Sequence, residues 1–166
     1  MIIRDETRAD IHAIERGTIA AFKTLAISQN TEQFIIKALR AAGALSISLV
    51  AEIDGRVVGH IAFSPVSISD GSSGWYGLGP VSVWPELHKQ GIGSALIREG
   101  LERLKAMGAQ GCALVGDPAY YQRFGFKNYP QLVHQGVPLE AFMVLPLGNK
   151  VPEGSVEFNE GFWATS

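Results

Sequence analysis

The stretch LGPVSVWPELHKQGIGSALI, residues 78–97, decides the fold of this chain. It opens with a β-branched run that glycine and proline interrupt, passes through a loop, and then presents Gly91 and Gly93 ahead of a long amphipathic pattern. This order predicts a strand, a tight turn and the N-terminus of a helix. The first N–H groups of a helix lack intrahelical partners and carry the positive end of its dipole, so the arrangement is suited to binding phosphate.

The segments on either side of the glycines extend the pattern. We expect a strand over Trp75–Val83, a helix over Gly91–Met107 and a short apolar strand over Gly111–Val115 that runs parallel to the first strand. The glycines and the proline inside Trp75–Val83 predict a bulge or a local splay, which leaves backbone N–H and C=O groups free to bind a ligand. Asp117 and Pro118 are typical of a helix cap and first turn.

The remaining elements follow from periodicity and turn residues. Helices are predicted over 10–22 and 30–43. Strands are predicted over 1–4, 46–53, 56–68, 141–147 and 155–158, with Asp54-Gly55 as a hairpin turn. Between the first two helices, Lys23–Gln29 is interpreted as a connector, with substrate contact as the second interpretation. The order of elements predicts an α+β fold with a mixed sheet.

Composition limits the class of protein. The 166 residues fit one domain over 1–166, with 46% hydrophobic and 18% charged residues. A net charge of −2 does not favour bulk electrostatic binding of nucleic acid or of an anionic membrane. The single cysteine, Cys112, excludes an intrachain disulfide and a multi-cysteine metal site. With no signal peptide and no apolar run of membrane-spanning length, the sequence predicts a cytoplasmic protein.

The glycine pair alone is compatible with several phosphate sites. A dinucleotide fingerprint needs a third small residue where Leu96 stands, and it places its glycines directly after the strand, whereas Trp84–Gln90 intervenes here. A Walker loop needs Gly-Lys-Ser/Thr, which this chain lacks. A phosphate loop of another design remains, with His88, Lys89 and Gln90 before the glycines and Ser94 just inside the helix.

A second element makes the pattern specific. The stretch DPAYYQRFGF, residues 117–126, follows the glycine pair, and with both pieces the chain resembles the GCN5-related N-acetyltransferases (GNAT superfamily), within them the YhbS-like bacterial group. The resemblance covers roughly residues 2–147. The family's Gln/Arg-x-x-Gly-x-Gly/Ala signature falls on 88–93, and its Tyr-x-x-x-Gly-Phe element falls on 121–126. The chain departs from the signature at His88, where weakened or altered phosphate contact is expected.

The resemblance implies a fold, an activity and a cosubstrate. The fold is a mixed, mostly antiparallel sheet that is splayed between its central strands and has helices on both faces. The activity is N-acetyl transfer from acetyl-CoA to a primary amine by direct attack within one ternary complex, without a metal. An alternative is a non-catalytic sensor or scaffold of the same fold that binds acyl-CoA. The residues assigned to acetyl-CoA are Val81, Ser82, Val83, His88, Lys89, Gln90, Gly91, Ile92, Gly93, Ser94, Asp117 and Tyr121.

The same resemblance assigns catalytic roles. A backbone N–H near Val81 would polarise the thioester carbonyl, and Tyr121 would donate a proton to the departing thiolate. Glu52, His60 and ordered water remain open as the base that deprotonates the incoming ammonium. His12 and His134 form no pattern with other residues.

The acceptor is the least defined part of the prediction. We expect a small-molecule amine, and less so a peptide or protein, bound by the first two helices, the Ser69–Gly74 loop and the C-terminal strands. Trp75 and Tyr76 are interpreted equally as acceptor-pocket residues and as strand aromatics. The resemblance allows a homodimer, although the sequence marks no interface.

Overall fold

A computed structural model describes residues 1–26 and 28–166 of the chain. The elements in chain order are β1 (Ile2–Asp5), α1 (Ile11–Lys23), α2 (Glu32–Ala41), β2 (Ile47–Ile53), β3 (Arg56–Pro65), β4 (Ser67–Ile68), β5 (Trp75–Val83), α3 (Ile92–Ala106), β6 (Gly111–Val115), α4 (Pro118–Tyr121), β7 (Leu132–Val133), β8 (Phe142–Pro146) and β9 (Gly154–Glu157). Among these residues, no helix is both long and apolar enough to cross a membrane.

The described residues form two sheets. Six strands make the main sheet in the order β1-β2-β3-β5-β6-β8, and three make a smaller one in the order β4-β9-β7. In the main sheet every neighbouring pair is antiparallel except β5 and β6, which are parallel as predicted. Helix α3 is the crossover between these two central strands, because parallel neighbours cannot be joined by a tight turn.

Helices pack on both faces of the main sheet. Alternation along β2 sends Leu49 into the core beneath α3 and Val50 toward α1 and α2. Helix α3 approaches closely at Gly100, where a Cβ atom would overlap the ring of Phe63. The missing side chain of this mid-helix glycine therefore allows the helix to pack closely on the sheet.

The central strands separate beyond a short paired segment. Strand β5 pairs with β6 through Trp75–Gly77, and its remaining residues have no β6 partner in the described register. On the other side of β5, the register to β3 shifts by one residue between Val81 and Leu78, so Gly79 and Pro80 form a bulge. The predicted bulge is confirmed, and the splay occurs in the same strand.

Several boundaries differ from the sequence prediction. The strand predicted over 56–68 ends at Pro65, which lacks an N–H for the ladder, and Ser67–Ile68 pairs instead with β9 in the smaller sheet. That sheet was not predicted, and the strand expected over 155–158 belongs to it as β9. The predicted connector 23–29 includes Ile27, which lies outside the described residues.

Candidate active site

The open edge of β5, the backbone groups of Val81 and Val83, faces the space between the separated strands. The Trp84 N–H donates to the Val58 carbonyl at 3.0 Å, so Trp84 and Val58 are a hydrogen-bonded pair that continues the ladder between β5 and β3. Bonded and non-bonded pairs alternate along an antiparallel ladder, so the N–H and C=O groups of Val81 and Val83 point away from β3. Since β6 has already diverged, the N–H groups of Val81 and Val83 and the Val81 carbonyl are available to an extended ligand.

Ser82 does not share this orientation. It stands opposite His60 in a hydrogen-bonded pair, so its backbone groups are directed at β3. Its side chain is buried, with Oγ 3.4 Å from the Thr18 hydroxyl of α1. The assignment of Ser82 to cofactor binding is therefore corrected: its polar groups lie inside the protein.

The glycine loop, residues 88–94, leads into α3. Gly91 adopts the left-handed conformation with φ 84°, and Lys89 does so with φ 64°. The Ala95 N–H donates to the Gly91 carbonyl at 3.0 Å, so the N–H groups of Ile92, Gly93 and Ser94 lie ahead of the helical ladder. They form a row of donors at the positive end of a 15-residue helix, which is the geometry that binds phosphate.

Side chains hold this loop in place. Ile92 is buried in the main core and contacts β3 at Gly59. The hydroxyl of Ser94 lies 3.3 Å from that of Tyr120, so the start of α3 is tied to α4. Gly93 has room for a first side-chain carbon, because a Cβ atom there would make only ordinary contacts with Tyr120 at 3.6 Å and Val83 at 3.9 Å.

His88 makes a contact that the sequence did not predict. Its Nε2 donates to the Val83 carbonyl at 2.8 Å, and this carbonyl belongs to the open edge of β5. The ring therefore ties the glycine loop to the strand, while Lys89 and Gln90 are exposed beside it. His88 satisfies one of the backbone groups that an extended ligand would otherwise meet.

Tyr121 lies on α4 with its ring packed among other aromatic rings. Its centroid is 5.0 Å from that of Tyr120 and 6.0 Å from that of Phe126, and a Cβ at Gly116 would come within 2.6 Å of its ring. Burial raises the pKa of the Tyr121 hydroxyl from 10 to about 12, so it keeps its proton at neutral pH. Asp117 caps α4 by accepting from the Ala119 N–H at 2.9 Å, which confirms its interpretation as a helix cap.

A cavity of about 510 Å³ opens where β5 and β6 separate. Part of its wall comes from the splayed strands and α4, through Leu78, Gly79, Pro80, Val81, Val115 and Tyr121. The rest comes from α1, α2 and the C-terminal region, through Phe22, Leu25, Glu32, Ile35, His134, Phe158, Phe162 and Trp163. We call Phe22, Phe158, Phe162 and Trp163 the aromatic wall. The cavity joins the open edge of β5 to this wall.

The segments that line the cavity agree only partly with those predicted from the sequence. The first two helices line the cavity, and Leu25 of the predicted connector lines it too. The C-terminal strands β8 and β9 do not line it themselves, because His134, Phe158, Phe162 and Trp163 lie outside them. The Ser69–Gly74 loop contributes no wall residue, since it pairs with the Glu153–Ser155 segment of the smaller sheet. Trp75 is buried in the core, where its ring lies against Gly111, so the strand interpretation of that residue is correct.

Glu52 is not placed to act as the base. Its carboxylate accepts from the Arg4 guanidinium at 2.9 Å and 3.2 Å, and the same guanidinium pairs with Asp10 at 2.8 Å. These residues join β1, β2 and the start of α1, and none of them lines the cavity. An ion-paired carboxylate outside the cavity wall is not positioned to deprotonate a ligand bound in that cavity.

His60 is not placed to act as the base either, for a different reason. It is 1% exposed, its Nε2 lies 2.8 Å from the Ser48 hydroxyl, and Ser48 also donates to Glu6. Burial lowers the His60 pKa from 6.5 to about 4, which keeps the ring neutral inside the protein. The ring is part of a buried polar group under α1 and α2 and is not in the cavity wall.

Sequence reasoning missed the ionisable groups that do line the cavity. Besides Tyr121, these are Glu32 and His134 among the described residues. Glu32 stands at the start of α2 and accepts from the Ser28 hydroxyl at 2.8 Å. His134 follows β7, a two-residue strand too short to show periodicity. Neither residue belonged to a sequence pattern that could have identified it.

Comparison with known proteins supports the resemblance found in the sequence. The sequence profile described as "Acetyltransferase (GNAT) domain" matches residues 44–128. The chain is 35% identical to the N-acetyltransferase YhbS of Escherichia coli over 128 residues, which are 76% of this chain and 74% of YhbS.

Two solved structures are similar over nearly the whole chain. A GNAT family acetyltransferase from Brucella melitensis, in complex with acetyl-CoA, is 50% identical, with a TM-score of 0.87 over 97% of both chains. Escherichia coli YhbS, in complex with CoA, is 32% identical, with a TM-score of 0.89 over 99% of this chain and 93% of that one. These similarities confirm the fold class predicted from the sequence.

Proposed function

Because this chain belongs to the GNAT acetyltransferase family, we propose that it transfers the acetyl group of acetyl-CoA to the primary amine of a small molecule. The observation that carries the proposal is the cavity, which connects the open edge of β5 and Tyr121 with the aromatic wall. A thioester held at the first part would meet an amine held at the second. The main sheet lines this cavity, and so do His134 and Phe158, which directly follow strands of the smaller sheet, so we propose that residues 1–166 act as one domain.

The backbone supplies most of the acetyl-CoA site. The row of N–H groups at Ile92, Gly93 and Ser94 would receive the pyrophosphate. The open edge at Val81 and Val83 would pair with the amides of the pantetheine arm, as a neighbouring strand would. Two solved relatives, the Brucella melitensis acetyltransferase and Escherichia coli YhbS, contain acetyl-CoA and CoA, and this supports the same ligand here.

Two groups at the opening between β5 and β6 would take part in the acetyl transfer. The Val81 N–H points into the opening and would stabilise the negative charge that develops on the thioester oxygen during attack. Tyr121 lines the same cavity with its hydroxyl protonated, and it would supply the proton for the CoA sulfur as the carbon–sulfur bond breaks.

The cavity wall favours a small acceptor with an apolar body. Aromatic and aliphatic side chains dominate it, and among the described residues that line it there is no lysine or arginine to receive a carboxylate or phosphate. Trp163 is 76% exposed and Leu25 is 47% exposed, so the wall offers apolar surface that a ligand would cover. Aromatic faces also attract an ammonium group, and Glu32 adds a carboxylate.

A thiol-release assay tests this proposal. Phenethylamine and hexylamine, which have apolar bodies, should release free CoA from acetyl-CoA and gain an acetyl group by mass spectrometry. Glutamate and a lysine-containing peptide serve as anionic and macromolecular comparisons, and they should react much more slowly. Binding of acetyl-CoA without thiol release by any amine would favour a sensor or scaffold, whereas calorimetric binding of NAD or ATP in place of CoA would contradict the assignment of the glycine loop.

A further inference from the structure

His134 is held by the smaller sheet at the cavity wall. Its Nδ1 lies 2.8 Å from the carbonyl oxygen of Val156 in β9. A carbonyl can only accept a hydrogen bond, so Nδ1 carries the proton in the neutral ring. The Nε2 atom then holds a lone pair, makes no hydrogen bond to a described residue and is open to solvent. The fold therefore sets the tautomer that can accept a proton from a ligand.

Aromatic contacts fix the position of this ring relative to β5. The centroid of His134 lies 4.9 Å from that of Phe158 in an edge-to-face arrangement and 5.9 Å from that of Phe142. Phe158 in turn lies against Gly77 of β5, where a Cβ atom would come within 2.8 Å of its ring. The imidazole is thus connected by rigid contacts to the strand that carries the Val81 N–H.

Glu32 complements His134 in the same cavity. A carboxylate attracts an ammonium group but stabilises its charged form, which opposes loss of the proton. One oxygen of Glu32 already accepts from Ser28 at 2.8 Å. Glu32 is therefore suited to draw the cation into the cavity, and the lone pair of His134 is suited to deprotonate it.

We propose that His134 is the general base of this enzyme, with Nε2 taking the proton from the ammonium group of the acceptor. This inference rests on the proposed N-acetyltransferase function. The first proton passes from the ammonium to Nε2 and then to solvent, and the free amine attacks the thioester carbon. As the carbon–sulfur bond breaks, Tyr121 protonates the sulfur and recovers a proton from the attacking nitrogen. The products are the acetamide, free CoA and one released proton.

Replacing His134 by asparagine tests the proposal, because the asparagine amide can still donate to Val156 but provides no basic nitrogen. With phenethylamine at neutral pH, kcat/KM should fall roughly 10²- to 10⁴-fold, the range expected for loss of a general base. Phenethylhydrazine has nearly the same shape but is a much weaker base, so far more of it is already unprotonated at neutral pH. It should lose less than about tenfold, since it depends less on a base.

The hydrazine also serves as the folding control, and acetyl-CoA affinity measured by calorimetry should not change. Equal losses for the amine and the hydrazine would show that His134 only shapes the cavity and would overturn the proposal. The same would follow if Glu32→Gln, rather than His134→Asn, produced the loss selective for the amine. If the unsubstituted protein acetylates neither acceptor, the proposed function fails and this inference fails with it.

Discussion

The two halves of the candidate active site are built in different ways. The acetyl-CoA half, formed by the glycine loop and the open edge of β5, presents mainly backbone N–H and C=O groups from one continuous segment. The acceptor half, formed by the aromatic wall with Glu32 and His134, presents side chains from four separate segments. Backbone groups can bind the same cosubstrate with many sequences, whereas side chains determine which acceptor fits. Binding of the cosubstrate therefore depends little on the particular side chains of this protein, whereas the choice of acceptor depends on them.

The largest expected effect is on the acetyl-CoA half. Gly93→Val should weaken CoA binding by more than about a hundredfold, because its branched side chain would occupy the space beside the donor row that a phosphate needs. The protein should stay folded, since the first added carbon meets only ordinary contacts at 3.6 Å and 3.9 Å. Calorimetry with CoA measures the loss, and Gly93→Ala should give a smaller one. Unchanged affinity in the valine variant would mean that the pyrophosphate binds elsewhere.

Tyr121 lies where the two halves meet. Tyr121→Phe should lower kcat roughly 10- to 100-fold, because the phenyl ring keeps the packing but cannot protonate the sulfur. The affinity for acetyl-CoA should change little. The matched control is Tyr120→Phe, since that neighbouring hydroxyl lies 3.3 Å from Ser94 and not in the cavity wall. Steady-state kinetics of both variants check this, and an unchanged kcat for Tyr121→Phe would remove the hydroxyl from the mechanism.

The acceptor half should respond independently. Trp163→Ala should raise KM for phenethylamine roughly tenfold, about the effect of losing one apolar contact surface of a ligand. Because the side chain is 76% exposed, its loss should cost little stability. Affinity for acetyl-CoA should be unchanged, as it should be in Met107→Ala, which removes an exposed apolar side chain at the far end of α3. A parallel loss of acetyl-CoA affinity in Trp163→Ala would show that the two halves are not separable.

The smallest effect on activity is expected at His60. His60→Gln should keep kcat/KM within about threefold, because the ring is outside the cavity. Its effect should appear in stability. The pKa of about 4 in the folded protein lies below the ordinary 6.5, so the unfolded chain binds more protons between these values.

The free energy of unfolding should therefore fall as the pH drops through this window, and this residue accounts for at most about 1.4 kcal/mol per pH unit. In His60→Gln, the free energy of unfolding should change less steeply with pH. Urea unfolding at pH 7 and pH 5 measures it. Burial alone would raise the pKa of Glu6, but the hydrogen bonds from Arg40 and Ser48 lower it overall. Glu6 therefore adds a further loss only as the pH falls through its ordinary value of 4.5 and below. A large fall in activity in His60→Gln would return this residue to the mechanism.

The contrast between the two halves also explains which elements of the fold could be predicted from the sequence. Strand Trp75–Val83 and strand Gly111–Val115 have the predicted bounds, and helix α3 starts one residue after Gly91. Glycine and proline mark these elements directly, because each imposes a backbone conformation that is visible in the sequence. The bulge at Gly79 and Pro80 was predictable for the same reason.

The acceptor half could not be predicted from local pattern. The strands of the smaller sheet are two to four residues long, too short for alternation to be distinguished from a loop. The bases proposed from residue type, Glu52 and His60, were excluded by an ion pair and by burial, which depend on residues up to 48 positions away in sequence. His134 became a candidate only when the fold placed its ring against Phe158 and Val156.

The most direct test of the account is a crystal structure of the protein with CoA and N-acetylphenethylamine, the product expected from phenethylamine. We expect pyrophosphate at the N–H groups of Ile92, Gly93 and Ser94, and the CoA sulfur between Val81 and Tyr121. The product should place its phenyl ring against the aromatic wall and its amide nitrogen near Nε2 of His134. CoA bound away from the glycine loop, or a sulfur directed away from the cavity, would contradict it.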